Sequence, residues 1–197
     1  IEEALKITKG KPMTVEQADQ QHANPNYGKK YEYSINCQTC APAYVLRLMG
    51  FNVTAKANTK NSLSEYLSRQ RSFEAWKNTD GSPAVPTLTY DWMIAKGYKQ
   101  MSKKRYAEYF EECCKETGVY ILTIGWKGGG GHATVLQRFE DGTLKYIEPQ
   151  VYSERSGAKR SIDELCESGA TKPYPQRGVL RVDNKLFDTK FASIFDK

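Results

Sequence analysis

The chain has 197 residues and a mass of 22.4 kDa, a size typical of one domain or of one domain with a short appendage. The mean hydropathy is −0.67. No apolar run approaches the roughly 18 residues of a membrane span, which excludes a membrane-spanning helix. The 29 basic and 23 acidic residues give a net charge of +6, spread along the chain. The one tight basic cluster, at residues 103–105, is typical of a solvated helix start, so we expect no nucleic-acid partner.

The cysteine count indicates free thiols rather than a disulfide framework. An odd number leaves at least one thiol unpaired, two of the five are adjacent and cannot readily pair, and a chain of this length folds without disulfides. The five are Cys37, Cys40, Cys113, Cys114 and Cys166. Neither of the two histidines has a second pair of ligands at zinc-site spacing. We therefore expect a reducing compartment, no metal and no cofactor.

The first part of the chain is predicted to be helical. The evidence for these helices is the helical spacing of apolar residues, a capping box from Thr14 to Gln17, and terminating residues such as Gly50. Helices are predicted over residues 14–23, 43–49, 62–76, 89–96 and 104–116. Residues 1–13 are expected to be a linker from a longer parent chain, because they start at Ile1 without a signal peptide.

The second part changes to a strand pattern. A β-branched run predicts a first strand over residues 119–124, and four glycines follow at 128–131. A second strand is predicted over 132–139, then a turn at Asp141-Gly142 and a third strand over 144–147. This order predicts an α+β fold, with N-terminal helices packed on a C-terminal antiparallel sheet in one domain over residues 14–197.

Residues 152–197 are predicted to extend that domain at its C-terminal end. The pattern favours a short helix over 161–166, an edge strand over 178–182 and a tail docked by phenylalanines. Those phenylalanines are Phe187, Phe191 and Phe195. The residues leave open whether the extension completes the sheet or serves a partner.

Three separated residues together indicate nucleophilic chemistry. Cys37 immediately precedes a predicted helix, where free N–H groups and the helix dipole favour a thiolate and can hold an oxyanion. His132 begins a strand after four glycines. Glu148 ends the next strand of the hairpin, so the two are expected to be cross-strand neighbours, with the carboxylate fixing the imidazole tautomer. Cysteine, histidine and acid form the set used for thiol-based acyl transfer.

Two alternatives compete with this interpretation. Cys37 and Cys40 could form a redox Cys-x-x-Cys motif, although that motif belongs to a βαβ fold that the pattern does not predict. Cys40 could also be the nucleophile. Pro42 is best tolerated in the first turn of a helix, so a helix starting at Cys40 suits it better than one starting at Cys37. The Asn36-Cys37 pair favours Cys37.

The chain resembles the papain-fold toxin domain found at the C-termini of bacterial polymorphic toxins and phage minor head proteins. The resemblance covers about residues 14–152. Its motifs are Asn24-Pro25-Asn26-Tyr27, Ile35-Asn36-Cys37-Gln38-Thr39-Cys40, Arg47 with Gly50, Trp126-Lys127-Gly128, Gly131-His132-Ala133 and Ile147-Glu148-Pro149-Gln150.

The resemblance implies a papain-like fold and activity as a protein glutamine deamidase. It implies Cys37 as nucleophile, His132 as base and Glu148 as third member, where the family more often has Asp. Gln150 matches the family's glutamine after the acid, and Asn36 is expected to support the oxyanion.

The same resemblance implies a biological setting. It suggests an effector secreted or injected into a target cell's cytoplasm, or a phage-particle protein, with a target protein and a cognate immunity protein as partners. A papain-like cysteine protease is the first alternative, because the same triad performs both reactions. A non-catalytic phage-head or injected structural module is the second.

Overall fold

The computed structural model describes residues 1–126, 129–151, 160–161, 163, 166 and 176–197. Its helices are α1 (Glu2–Leu5), α2 (Val15–Ala18), α3 (Gln20–Ala23), α4 (Cys37–Leu48), α5 (Leu63–Ser68), α6 (Thr89–Ala95) and α7 (Lys103–Cys113), with 3₁₀ helices at Tyr31–Tyr33, Ser72–Ala75 and Thr189–Ile194. None of the helices in the described part of the chain is long and apolar enough to cross a bilayer.

The strands form one large antiparallel sheet and two short ladders. They are β1 (Thr54–Ala55), β2 (Trp76–Lys77), β3 (Thr87–Leu88), β4 (Gly118–Gly125), β5 (Gly131–Arg138), β6 (Leu144–Ile147), β7 (Arg160–Ser161), β8 (Gly178–Arg181), β9 (Leu186–Phe187) and β10 (Phe195–Asp196). The order in the large sheet is β3-β8-β4-β5-β6-β7, while β1 pairs with β10 and β2 with β9. Every pairing is antiparallel. The α+β prediction is confirmed.

Helix α4 is the centre of the first core. The sequence predicts one apolar stripe on it, but all ten residues from Gln38 to Arg47 are buried. A helix buried all round needs neighbours on every side, and α4 contacts β5, α2, α3 and α5. Its side chains join the alternate residues of β4 and β5 that include Ile121 and Val135.

The opposite face of the sheet holds a second core. Its members include Tyr109 and Phe110 of α7 with Leu122 of β4 and Leu136 of β5. Because both faces of the central strands are covered, β4 is buried along almost its whole length. That pattern explains why β4 has an apolar run rather than alternation.

Two of the predicted helices are interrupted. Asp19 is extended, with ψ at 179°, and separates α2 from α3. The predicted helix over 62–76 ends at Ser68, and Gln70 then takes a left-handed φ of 67°. The following 3₁₀ turn delivers Trp76 into β2, where it pairs with Phe187. Tertiary pairing therefore overrides the helical spacing of the aromatic residues.

The C-terminal residues complete the fold. Strand β8, expected at an edge, lies between β3 and β4, so the edge prediction is wrong. The three docking phenylalanines, Phe187, Phe191 and Phe195, are buried as predicted. The predicted helix over 161–166 lies mostly outside the described residues, and Ser161 belongs to β7.

The N-terminal segment also contacts the domain. Leu5 of α1 is buried in the first core, and the N–H of Gly10 donates to the carbonyl of Gly50 at 2.9 Å. A Cβ on Gly50, whose φ is +102°, would overlap the carbonyl of Gly10. The N-terminal segment therefore packs on the rest of the fold through Leu5 and Gly10.

We predict that Phe191→Ala lowers the free energy of unfolding by about 3–5 kcal/mol, the usual cost of removing a buried phenyl ring. Phe191 is 1% exposed and stacks on Tyr66 with ring centroids 6.1 Å apart. Urea unfolding measures the change. Leu186→Ala is the control, because Leu186 is 49% exposed. Equal, small effects of both substitutions would show that the C-terminal tail is not part of the folded unit.

Candidate active site

Cys37 is the first residue of α4. Asn36 is the N-cap residue, and its carbonyl accepts hydrogen bonds from the N–H groups of Thr39 and Cys40 at 2.8 and 3.1 Å. Pro42 therefore lies inside the helix, where its ring nitrogen has no proton to donate. The helix therefore starts at Cys37 rather than at Cys40, although a start at Cys40 would suit Pro42 better. This start places Cys37 at the positive end of the helix dipole.

His132 and Glu148 meet at the open end of the hairpin. His132 is the second residue of β5, and Glu148 directly follows β6. The ladder pairs Val135 with Ile147, so continuing it would set residue 134, not 132, opposite Glu148. The predicted cross-strand pair is therefore a diagonal pair. The longer glutamate side chain spans the diagonal, and Oε2 lies 2.6 Å from Nε2 of His132.

Glu148 is a buried carboxylate with several donors. It is 3% exposed. Oε2 also accepts from the hydroxyl of Tyr146 at 2.6 Å, and Oε1 accepts from the backbone N–H of Gln150 at 3.0 Å. Burial alone would raise its pKa, but the charge and hydrogen bond of His132, with these two donors, lower the pKa of Glu148. The group is held as a carboxylate.

The thiol and the imidazole stabilise each other's charged forms. Burial opposes ionisation of Cys37, yet the hydrogen bond and charge of His132, with the N–H of Ala133, lower its pKa. Burial likewise opposes protonation of His132, but Glu148 and Cys37 raise its pKa well above the ordinary value. Because Nε2 faces Glu148, Nδ1 is the nitrogen left for the thiol. Both shifts favour a thiolate–imidazolium pair.

The histidine ring is supported by Trp126. The two rings stack with centroids 6.0 Å apart and an interplanar angle of 27°. Trp126 directly follows β4 and begins the tight connection to β5. In this connection the N–H of Trp126 donates to the carbonyl of Gly130, and its carbonyl accepts from the N–H of Gly129. Lys127 and Gly128 lie outside the described residues. The indole therefore packs directly against the imidazole.

Asn36 does not point to an oxyanion. It is fully buried, and its two amide protons are donated to Oδ1 of Asn24 at 3.2 Å and to the carbonyl of Lys56 at 3.0 Å. Its own Oδ1 accepts from Asn24, from the thiol of Cys40 and from Gln150. A primary amide has only two protons. The expected oxyanion role of Asn36 is therefore wrong, and it instead fixes the start of α4.

Backbone groups at the start of α4 are donors available to an oxyanion. Among the described residues, none accepts a hydrogen bond from the N–H of Cys37 or of Gln38, as expected for the first turn of a helix. The Gln38 side chain is anchored by Ser64, to whose carbonyl Nε2 donates at 2.9 Å. Its Oε1 lies 3.6 Å from Sγ of Cys37.

Gln150 and Cys40 lie behind the site rather than in it. Gln150 is buried and joins Glu148 to Asn36 and Asn24 through its N–H, its amide and its carbonyl. Cys40 is fully buried, and burial raises its pKa well above the ordinary value. Burial also raises the pKa of Cys113, to about 12. Cys37, half-buried and with a lowered pKa, has the character of a nucleophile, and Cys40 does not.

A small cleft opens over the thiol. Its volume is about 100 Å³, and its lining includes Cys37, Gln38, Ser68, His132 and Arg177. The sequence pattern gave no reason to single out Arg177 or Tyr146 for this site. Tyr146 lies two residues before Glu148 on a strand, a spacing that places both on one face. Arg177 reaches the cleft from the other side of β4, which no local pattern indicates.

Comparisons of the chain with protein-family models, curated protein sequences and solved structures found no match. The arrangement of the side chains is therefore the observation that bears on function. A half-buried thiol at a helix start meets an imidazole, and a buried carboxylate lies behind that imidazole. These are the positions that a nucleophile, a general base and an orienting acid require.

We predict that iodoacetamide alkylates Cys37 faster at neutral pH than it alkylates an ordinary cysteine, because the thiolate is the reactive form and the pKa of Cys37 is lowered. Peptide mass spectrometry that separates Cys37 from Cys40 measures the rate. In His132→Ala the thiol of Cys37 stays buried but loses the positive charge that lowers its pKa. The alkylation rate at neutral pH therefore falls at least about tenfold. A wild-type profile that rises only near about pH 8.5, as for an ordinary cysteine, would contradict the ion pair.

Proposed function

We propose that this protein is a cysteine-dependent amidohydrolase of papain-like fold that converts glutamine side chains of a target protein to glutamate. The observation that carries the proposal is the contact series from Cys37 through His132 to Glu148, in which the thiol has a lowered pKa and the imidazole a raised one. The resemblance of the sequence motifs to those of papain-fold toxin domains is the basis for choosing glutamine as the substrate.

The first half of the reaction forms a thioester. The Cys37 thiolate attacks the side-chain carboxamide carbon, and the carbonyl oxygen becomes an oxyanion. The N–H groups of Cys37 and Gln38 at the start of α4 are the donors available to it. When the intermediate collapses, the carbon–nitrogen bond breaks, and protonated His132 gives its proton to the departing nitrogen. Ammonia leaves, and His132 is neutral.

The second half regenerates the thiolate. Neutral His132 takes a proton from water, and the resulting hydroxide attacks the thioester carbonyl. The carbon–sulfur bond breaks, Cys37 returns to the thiolate and the product is a carboxylic acid that ionises. Glu148 holds the imidazole orientation in both halves and stabilises its charged form, without itself taking a proton. The net reaction consumes one water and releases one ammonia.

The dimensions of the cleft favour a side chain as the reacting group. A cavity of about 100 Å³ is well below the roughly 300–1,000 Å³ of pockets that enclose drug-sized ligands. A single extended glutamine side chain can enter it and bring its amide to the thiol. The proposed biological effect is the change of a neutral glutamine into an anionic glutamate on the target.

The resemblance also supplies a setting for this activity. We propose an effector that acts in the cytoplasm of a target cell or travels with a phage particle, with a cognate immunity protein as a second partner. An immunity protein that covers the cleft would block entry of the glutamine side chain. Binding of such a protein would therefore protect Cys37 from alkylation.

We predict that the protein, incubated with a cell extract, deamidates glutamine in specific proteins without cutting their chains. Each event replaces an amide nitrogen by oxygen, adds about one dalton and releases ammonia, so intact-mass analysis and an ammonia assay detect it. Cys37→Ala lowers the rate by about 10⁴-fold or more, because the nucleophile is lost. Cys40→Ala is the matched control, a removal of the neighbouring thiol that retains activity.

Three outcomes would contradict the proposal. Fragments of the target chains would show a cysteine protease. Activity that survives Cys37→Ala and disappears in Cys40→Ala would move the nucleophile to Cys40. A folded protein that neither deamidates nor cleaves any component of the extract would favour a non-catalytic module of a phage head or injected particle.

A further inference from the structure

Gln38 presents an oxygen to the thiol of Cys37, and hydrogen bonds hold that oxygen in one orientation. Nε2 of Gln38 donates to the carbonyl of Ser64 at 2.9 Å and to the hydroxyl of Ser64 at 3.0 Å. Because a backbone carbonyl can only accept, the nitrogen of the amide must lie on this side and Oε1 on the other. Oε1 therefore faces the thiol, 3.6 Å from Sγ of Cys37. The Gln38 side chain is 2% exposed, so the surrounding residues restrict it to this position.

The oxygen of Gln38 loses its donor when the thiol ionises. Within the described part of the chain, the thiol of Cys37 is the one group that donates a hydrogen bond to Oε1. A thiolate has no proton to donate, and the imidazole of His132 favours the thiolate form of Cys37. A buried amide oxygen without a donor is costly. The ionised site therefore holds an acceptor beside the nucleophile, and an N–H group of an incoming molecule would satisfy it.

The polar groups around the thiol match those of a primary carboxamide. Such a group carries an acceptor oxygen and two N–H donors on one carbon. The N–H groups of Cys37 and Gln38 are donors available to the oxygen, and Oε1 of Gln38 is an acceptor available to the nitrogen. Gln38 lines the cleft of about 100 Å³ together with Cys37 and His132. An ester or a carboxylate has no N–H group, so either one would leave Oε1 unsatisfied.

We propose that Gln38 is a specificity-determining residue that recognises a primary carboxamide, with Oε1 accepting an N–H of the amide that Cys37 attacks. A site built to bond an N–H group rejects analogues that lack it, because its own buried polar atom is then left unpaired. The hydrogen bond holds the nitrogen without moving a proton, so the proton that leaves with ammonia still comes from His132. The identification of the carboxamide as a glutamine side chain rests on the proposed function.

Two alkylating reagents test this contact without any deamidase substrate. Iodoacetamide and methyl iodoacetate are both neutral, share a carbonyl group and alkylate a thiolate with loss of iodide, but only iodoacetamide has N–H donors. We predict that the ratio of the iodoacetamide rate to the methyl iodoacetate rate is about fivefold higher at Cys37 than at free cysteine, the effect of one net hydrogen bond. Gln38→Met keeps the length of the side chain but removes the amide, so it lowers the ratio to that of free cysteine.

Thr39 provides the matched control. Its hydroxyl lies 2.7 Å from the hydroxyl of Ser64 in the same buried network, and it is not among the described residues that line the cleft. Thr39→Val disturbs that network but leaves the bond from Gln38 to the Ser64 carbonyl, so the ratio stays at the wild-type value. A wild-type ratio equal to that of free cysteine overturns the proposal without any variant. An unchanged ratio in Gln38→Met with a native circular dichroism spectrum, or an equal fall in Thr39→Val, overturns it too.

Matched peptides separate this inference from the proposed function. One peptide carries glutamine, and the other carries the γ-methyl ester of glutamate between the same neighbours. We expect Gln38→Met to lower kcat/KM on the glutamine peptide about fivefold or more and to leave kcat/KM on the ester peptide unchanged. Equal losses on both peptides overturn the specificity role. Hydrolysis of neither peptide, with the alkylation ratios as predicted, overturns only the proposed function, whereas glutamine hydrolysis that Gln38→Met leaves unchanged overturns only this inference.

Discussion

A buried carboxylate constrains the whole arrangement around the thiol. Removing a charge from water is costly unless the group is paired and hydrogen-bonded, and Glu148 is satisfied by the imidazole of His132, the hydroxyl of Tyr146 and the backbone of Gln150. These contacts fix the ring of His132, and the ring in turn stabilises the thiolate of Cys37. Loss of the carboxylate would leave the imidazole without its orienting partner, and burial would then favour the neutral thiol.

The polar network behind the site joins the helical part of the chain to the sheet. Asn24 and Asn36 exchange hydrogen bonds through their amides, and both also bond to Gln150. Because each amide is buried, a displaced partner would leave a polar group unsatisfied at a cost of about 1–3 kcal/mol. The network therefore fixes the start of α4 relative to the end of β6, and with it the position of Cys37 relative to Glu148.

Sequence predictions agree best with the structure where the signals are local. The hairpin of β5 and β6, the end of α4 and the docked phenylalanines follow from alternation, a terminating glycine and burial of aromatic rings. Predictions failed where a residue distant in the sequence determines the structure. Strand β8 pairs with β4 instead of lying at an edge, and the helix predicted over 62–76 ends before Gln70 although its aromatic residues keep helical spacing. The amide of Asn36 donates to Asn24 and Lys56 instead of to an oxyanion. Arg177 could not be found from sequence, because its proximity to Gly131 arises only from the strand order β8-β4-β5.

The most direct test of the charge arrangement is the protonation state of His132 in the resting protein, observed by ¹⁵N NMR of the selectively labelled imidazole at neutral pH. The thiolate–imidazolium pair predicts protons on both ring nitrogens, since the pKa of His132 is raised and that of Cys37 is lowered. A ring with a single proton, beside a neutral thiol, would contradict the pair and with it the assignment of Cys37 as an activated nucleophile.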